Sequence, residues 1–384
     1  MPAQSPKYRV LILLGSDWSG INRLPPLLRQ AGFGVDVFCA RDCRLSASQH
    51  VTAHISQATH YSDFVADVGA FLARNQTAFC WTLVADDPLL LALSAHRQQE
   101  WVQALLPASG SGLDFLLSKL AFPILAARAG IRVPKSVVQR DPDALMAAAE
   151  KLGYPLILKR PQGFSGQSVF RIESRAHLDA ALQALKADAA LLLQEQITGI
   201  EIGATAIWQQ GRLLAWLAFE KIRTWPGRFG PASMVRLCAP PQMQGMLEKM
   251  GQMSGFHGLG GADFMRDENG NLFALEQHGR PNGQFVLADQ VGIDLPALLR
   301  TLILGSEHSG EVITSLQRVQ PPQIRDTHWL PLFPQEAERQ LAQGQWRTLR
   351  RWLLHPRYRA MLPLDDPALL DAELRRLQQR AQTR

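Results

Sequence analysis

Cysteine is scarce in this chain: four in 384 residues, with Cys39, Cys43, Cys80 and Cys238 forming no CxxC pair and no cysteine–histidine cluster. That spacing excludes a zinc ribbon and a disulfide framework, and leaves reduced, mostly buried thiols. Long apolar runs are absent too. The first, Val10 to Leu14, is far too short to span a bilayer and no cleavage-site pattern follows it, so the expected location is the cytoplasm, with no membrane partner. Also missing is the GxGxxG turn of a dinucleotide-binding fold, because Gly15-Ser-Asp-Trp-Ser-Gly20 has the wrong spacing and lacks the third glycine. No internal repeat is visible.

What is present is a long, apolar-rich chain: 46% hydrophobic residues over 384 positions are enough to bury two or three cores. Lys and Arg outnumber Asp and Glu, giving a formal charge of +6 that suits small anionic ligands without implying nucleic acid. The segment from Arg9 reads as strand, helix near Ile21 to Ala31 and strand Val35 to Phe38, the start of a βαβ layer. A strand around Phe79 to Val84 and a helix from Leu89 to Leu105 continue it, and Pro107 to Gly112 reads as a linker. Two helices follow, Leu116 to Ala129 and Pro142 to Leu152. Strands then dominate, at Leu156 to Lys159, Ser168 to Ile172, Leu191 to Gln194, Glu201 to Trp208, Leu213 to Phe219, Gly261 to Met265 and Leu272 to Gln277. After a helix from Leu295 to Leu304, an Arg-rich segment reads as a helical appendage with a solvated charged face.

The most informative stretch is Gly261 to Glu276. Asn269-Gly270 is the preferred centre of a two-residue hairpin turn, which sets Glu268 opposite Asn271 and, counting outward, Asp263 opposite Glu276. Like charges facing each other destabilise a sheet, so such a pair calls for a cation between them. Oxygen ligands with room for phosphate oxygens suit Mg²⁺. Period-two alternation sends Glu276, His278 and Arg280 to one face, where an arginine can neutralise charge developing on a transferred phosphoryl group. Upstream, Lys159 ends a strand and leads into a Gly/Ser loop whose N–H groups can turn toward phosphates. Lys119 sits on a helix after Ser118. Residues Leu191 to Glu201 form a strand running into a connector that can read a base with backbone groups and a sugar with a carboxylate.

In that order, Lys119, Lys159 with its Gly loop, Gln194-Glu195, Asp263, Glu276 and Arg280 resemble the ATP-grasp superfamily, in particular ligases of the biotin carboxylase, carbamoyl-phosphate synthase and D-Ala-D-Ala ligase type. The resemblance spans roughly residues 110 to 305. It implies a mixed α/β and α+β fold: a Rossmann-like βαβ domain over 1–110, a small lobe over 111–190, a large lobe with the metal hairpin over 191–310, and a helical C-terminal segment over 311–384. It further implies that Lys119 and Lys159 contact ATP phosphates under a mobile cover containing Gly163, Ser165 and Gly166. Gln194, Glu195 and Ile197 would line adenine, Glu201 would bind ribose, and Lys221 would be a further phosphate contact. Asp263 and Glu276 become metal carboxylates and Arg280 the transition-state cation.

Many members read Glu-x-Asn-x-Arg where this chain has Glu276-Gln-His-Gly-Arg280. Imidazole is a poor Mg²⁺ ligand and suits softer ions such as Mn²⁺ or Zn²⁺, so His278 leaves open a different metal, a proton-transfer role or a structural one. Residues 220–236 resemble the substrate-facing loop of a little-characterised group of carboxylate–amine ligases, with Arg223, Arg228 and Arg236 as candidate holds for an anionic acyl substrate.

The leading expectation is therefore ATP- and Mg²⁺-dependent ligation of a small-molecule carboxylate to an amine or thiol through an acyl phosphate, with a homodimer as the oligomer to look for. Bicarbonate activation is the rival within the enzyme class. A nucleotide-binding regulatory protein that has lost catalysis is the rival outside it.

Overall fold

A computed structural model of the chain describes residues 6–161, 163, 168–185, 189–305, 319, 321–325, 327–355 and 361–382. Its first layer is a four-stranded parallel sheet in the order β3-β2-β1-β4, made of β1 (Tyr8–Leu14), β2 (Phe33–Ala40), β3 (Thr52–Ser56) and β4 (Trp81–Val84). The run Val10 to Leu14 is fully buried, as expected of a parallel strand covered on both faces. Helices α1 (Leu24–Gln30), α2 (Tyr61–Arg74), α3 (Asp87–Ser94) and α4 (Glu100–Gln103) complete this region. The single helix expected over Leu89 to Leu105 is thus two, separated by Ala95 to Gln99. Asp86 starts α3 by accepting the Leu89 N–H at 3.0 Å, with Pro88 in the first turn.

The expected linker is shorter than the sequence suggests, because α5 (Gly110–Leu117) already begins inside it. Next comes α6 (Ala121–Arg128). The continuous helix expected from Leu116 to Ala129 is broken at Ser118 to Leu120, where the Ser118 hydroxyl accepts the Ala121 N–H at 3.1 Å. Lys119 therefore lies in a turn rather than on a helix.

A second, antiparallel sheet has the order β5-β8-β6-β7, from β5 (Ser136–Gln139), β6 (Leu156–Lys159), β7 (Val169–Ile172) and β8 (Leu191–Glu195). Helices α7 (Pro142–Leu152) and α8 (Arg175–Leu185) pack on it around Leu145, Leu156, Leu158, Ile172, Leu178 and Leu193. This small lobe has its own apolar core. Two boundaries of the sequence reading change here: β8, expected to open the large lobe, is an inner strand of the small sheet, and α5 and α6, expected in the small lobe, pack on the large one.

The large sheet is six-stranded and antiparallel, in the order β13-β12-β9-β10-β11-β14. Its strands are β9 (Gly199–Gln209), β10 (Arg212–Thr224), β11 (Ala232–Cys238), β12 (Gly258–Asp267), β13 (Leu272–His278) and β14 (Leu330–Pro331), joined by α9 (Met243–Ser254) and α10 (Leu295–Leu304). One face shares a continuous core with the parallel layer, Val10, Ile12 and Val35 meeting the same cluster as Leu217, Phe219 and Leu299. The C-terminal segment is not purely helical, since β14 pairs with β11 and extends the large sheet. Helices α11 (Gln335–Ala342), α12 (Trp346–Leu354) and α13 (Pro367–Gln382) follow. Among the described residues no helix is long and apolar enough to cross a membrane.

Candidate active site

One cleft of about 930 Å³ lies among the parallel layer, the small lobe and the large sheet, within the usual size range of small-molecule sites. Its floor is a row of charged side chains carried on four neighbouring strands. From β13 come Glu276 and His278, from β12 Asp263, from β9 Glu201 and from β10 Lys221.

Asp263 and Glu276 are register partners, as the hairpin count requires. The route to that register differs from the expected one. The turn has three residues, Glu268 to Gly270, closed by the Asp267 N–H on Asn271 O at 3.0 Å, with Gly270 at φ 80°, a region glycine enters without strain. Such a loop alone would misalign the acids by one residue. A bulge between Asp263 and Phe264, where Leu275 is left without a partner, restores the pairing.

The acids are not left facing each other uncompensated. Lys221 Nζ donates to Asp263 Oδ2 at 3.0 Å and also pairs with Glu201, while Lys119 Nζ donates to Glu276 Oε2 at 3.3 Å. His278 Nε2 lies 3.5 Å from Asp263 Oδ2. Burial acts to raise both carboxyl pKa values, yet Lys221 with His278 holds Asp263 well below the carboxylate range. Lys119 with His278 brings Glu276 down to about 2. The reverse holds for His278: burial opposes its charge, but the adjacent Asp263 and Glu276 raise its pKa. Lys159 also fronts the cleft, and its burial lowers its pKa against the pull of Glu276. Three ammonium groups thus meet three carboxylates, and Glu201, expected at a ribose, is engaged by Lys221.

Donor atoms of Asp263, Glu276 and His278 lie within 4.8 Å of one another, the group among the described residues with metal-binding geometry. Two carboxylates and an imidazole fit a divalent ion.

The small lobe supplies the roof. Gln194, Glu195 and Ile197 line the cleft, with Gln194 fixed to Ser136 Oγ at 2.9 Å and the Glu195 N–H on Lys135 O at 2.9 Å. Arg160 N–H closes onto Ser168 O at 3.0 Å at the base of the Gly/Ser loop. Gly163, at φ 140°, lies so close to Ser168 that an added Cβ would come within 2.4 Å of that side chain. Ser165 and Gly166 lie outside the described residues.

Arg280 borders the same cleft just beyond β13. Its guanidinium donates to Asp87 Oδ2 at 2.6 and 2.8 Å and stacks 4.1 Å over the Trp18 ring. Neither partner carries a sequence signal, since both come from the parallel layer. Of the three loop arginines, Arg223 donates to the fully buried Glu336 at 2.8 Å and Arg236 Nε to Glu220 at 2.7 Å. Arg228 has no carboxylate within ion-pair distance among the described residues and lies over Phe229, 5.8 Å from its ring centre. All three border the cleft.

This arrangement of a βαβ layer, a small four-stranded lobe and a six-stranded sheet with a paired-acid hairpin has known counterparts. Residues 118–206 match the RimK-like ATP-grasp domain model. That stretch, less than a quarter of the chain, is similar to the ATP-grasp superfamily. D-Alanine–D-alanine ligase B of Xanthomonas campestris pv. campestris is 31% identical over 176 residues, covering 40% of this chain and 52% of that one. The D-alanine–D-alanine ligase of Pseudarthrobacter chlorophenolicus is 30% identical over 125 residues, 32% of each chain, so this chain spans about a third of that relative's length. Among solved structures, N5-carboxyaminoimidazole synthetase from Staphylococcus aureus superposes with a TM-score of 0.64 at 14% identity, over 91% of this chain and 89% of that one. An L-amino acid ligase from Bacillus licheniformis gives 0.56 at 16% identity, over 79% and 77%. At those identities the structures speak for the ATP-grasp fold alone.

Proposed function

We propose that the protein is an ATP-dependent ligase that activates a small-molecule carboxylate as an acyl phosphate and joins it to an amine, with a divalent metal held by Asp263 and Glu276. The observation that carries this reading is the convergence of Asp263, Glu276, Lys119, Lys159 and Lys221 on one cleft. Similarity to D-alanine–D-alanine ligases supports the carboxylate–amine class.

In the first step a carboxylate oxygen of the acid forms a bond to the γ-phosphorus of ATP, the bond to the β-phosphate oxygen breaks, and ADP leaves. In the second the amine nitrogen bonds to the acyl carbon, inorganic phosphate departs and the nitrogen gives up a proton. A bound divalent ion supplies charge neutralisation and alignment of the phosphates. The chain's own contribution is positional. Lys119, from the turn between α5 and α6, and Lys159, from β6 of the small lobe, serve as point charges for phosphate oxygens. Lys221, tied to two carboxylates, keeps the acids charged. Arg280 is oriented by Asp87 and Trp18, so it meets developing negative charge without reorganising. Gln194 to Ile197 offer backbone groups to adenine.

Arg223 and Arg236 are each neutralised by a buried acid, so the reading assigns the acyl substrate's anionic group chiefly to Arg228. A screen of acid and amine pairs for ADP release in Mg²⁺, with a bicarbonate arm, tests the reaction class. ADP formed only with an acid and an amine together, or slowly with the acid alone, supports ligation. Stimulation by bicarbonate alone transfers the site to bicarbonate activation, and nucleotide binding without turnover under any pair favours a regulatory role.

A further inference from the structure

His278 occupies the position from which a third donor can reach an ion between the two acids. It follows Glu276 by two residues on β13, so both side chains leave the same face of the strand, and its Nε2 already lies 3.5 Å from Asp263 Oδ2. The donor atoms of Asp263, Glu276 and His278 fall within 4.8 Å of one another. Neighbouring donors on an octahedral divalent ion at about 2.1 Å stand about 3.0 Å apart and opposite ones about 4.2 Å, so the cluster would contract to close on one. Among the described residues the imidazole's pairing is with Asp263, itself one of the two acids, and the neighbouring cations are engaged elsewhere: Lys221 by Asp263 and Glu201, Lys119 by Glu276 and Arg280 by Asp87.

We infer that His278 is a direct metal ligand and that this turns the site into one selecting Mn²⁺, or another imidazole-preferring divalent ion, over Mg²⁺. The inference rests on the assignment of Asp263 and Glu276 as metal carboxylates under the proposed function. Magnesium is a hard ion that prefers oxygen donors and near-ideal octahedral geometry, whereas a mixed set of two carboxylates and one imidazole suits first-row transition ions. An amide oxygen in the same place, as asparagine would provide, restores an all-oxygen set. The identity of residue 278 thereby sets metal preference without altering the hairpin.

The test uses the full-length protein and the metal alone, without nucleotide, so it does not depend on catalysis. Mn²⁺ binding is measured by electron paramagnetic resonance for the wild type and for His278→Asn, with thermal unfolding as a check that both are folded. Electron spin-echo modulation is then recorded to detect a nitrogen bonded to the ion. The expected result is a nitrogen coupling in the wild type that is absent in H278N, with Mn²⁺ affinity at least about tenfold weaker in the variant and Mg²⁺ affinity, read by competition, unchanged or improved. A second variant, Glu276→Gln, should weaken both ions. Wild-type protein that binds Mn²⁺ without nitrogen coupling, or takes up none at millimolar concentration, overturns the inference, as does H278N retaining wild-type Mn²⁺ affinity. Nitrogen coupling in a protein that never turns over ATP upholds the inference while removing the ligase reading.

Discussion

Two hairpins of the same six-stranded sheet carry charge into the cleft, and they handle it in opposite ways. On β12–β13, Asp263 and Glu276 face each other, and their counter-ions Lys119 and Lys221 reach them from a turn outside the sheet and from β10. On β10–β11 the charges are arginines, and two of the three are closed off by buried acids. Glu336, fully buried, accepts from Arg223, Ser233, Arg339 and Gln340, while Glu220 is shared by Arg236 and Arg266. The first arrangement gathers like charges where a mobile cation can serve them. In the second, Arg223 ties the C-terminal segment to the sheet through Glu336, and Arg236 pairs within the sheet with Glu220. Charge alone does not mark a ligand site; opposed like charges with donor atoms close enough to share one ion set the first hairpin apart.

The largest effect that separates the two hairpins is expected from Glu276→Gln. Turnover of ATP should fall by roughly two to three orders of magnitude in a variant that still folds and unfolds cooperatively, at a modestly lower melting temperature near neutral pH, read by ADP release and calorimetry. Retained turnover in the folded variant would break the contrast from one side. From the other side, Glu336→Ala removes the acid beneath Arg223 and Arg339. Breaking a buried ion network leaves uncompensated charge, so stability should drop by about 3 kcal/mol or more in denaturant titration. A near-neutral result there would mean that the β10–β11 arginines do not depend on their acids.

Arg228→Ala sharpens the comparison at the loop arginine that has no carboxylate within ion-pair distance among the described residues. Stability should change by no more than about 0.5 kcal/mol, and KM for the acid should rise about tenfold with kcat little altered. The smallest expected effect is in pH dependence. The carboxyl of Glu276 titrates at about 2 in the folded protein, below its ordinary range, so the stability it contributes is present above that range and is lost as pH falls toward about 2. The difference in melting temperature between wild type and E276Q should therefore shrink on acidification over that interval; a constant difference contradicts the ion pairing drawn for this site.

Much of this was legible in the sequence because period and turn chemistry are local. The strands from Leu156 to Lys159 and from Leu272 onward, the βαβ start and the opposed acids all follow from such patterns. The acid pairing, though, was reached through a two-residue turn that does not exist: the extra loop residue and the bulge at Leu275 offset each other, and neither is marked by a distinctive residue. Lys119 read as helical because the apolar spacing runs on through Ser118 to Leu120, where the chain turns to bring the ammonium to Glu276. The partners of the arginines were out of reach for a different reason. Arg223 and Glu336 are 113 residues apart, and Arg280 and Asp87 are 193 apart, so their pairing belongs to the tertiary fold. The Trp18 ring against Arg280 is hidden in the same way.

Calorimetric titration of ADP into the protein, without a divalent ion and with Mg²⁺ or Mn²⁺, repeated on E276Q, bears most directly on whether the paired acids and the lysines form a metal–nucleotide site. The account predicts tight binding that requires the divalent ion in the wild type and is lost in the variant. Binding that ignores the ion, or an equal affinity in E276Q, would contradict it.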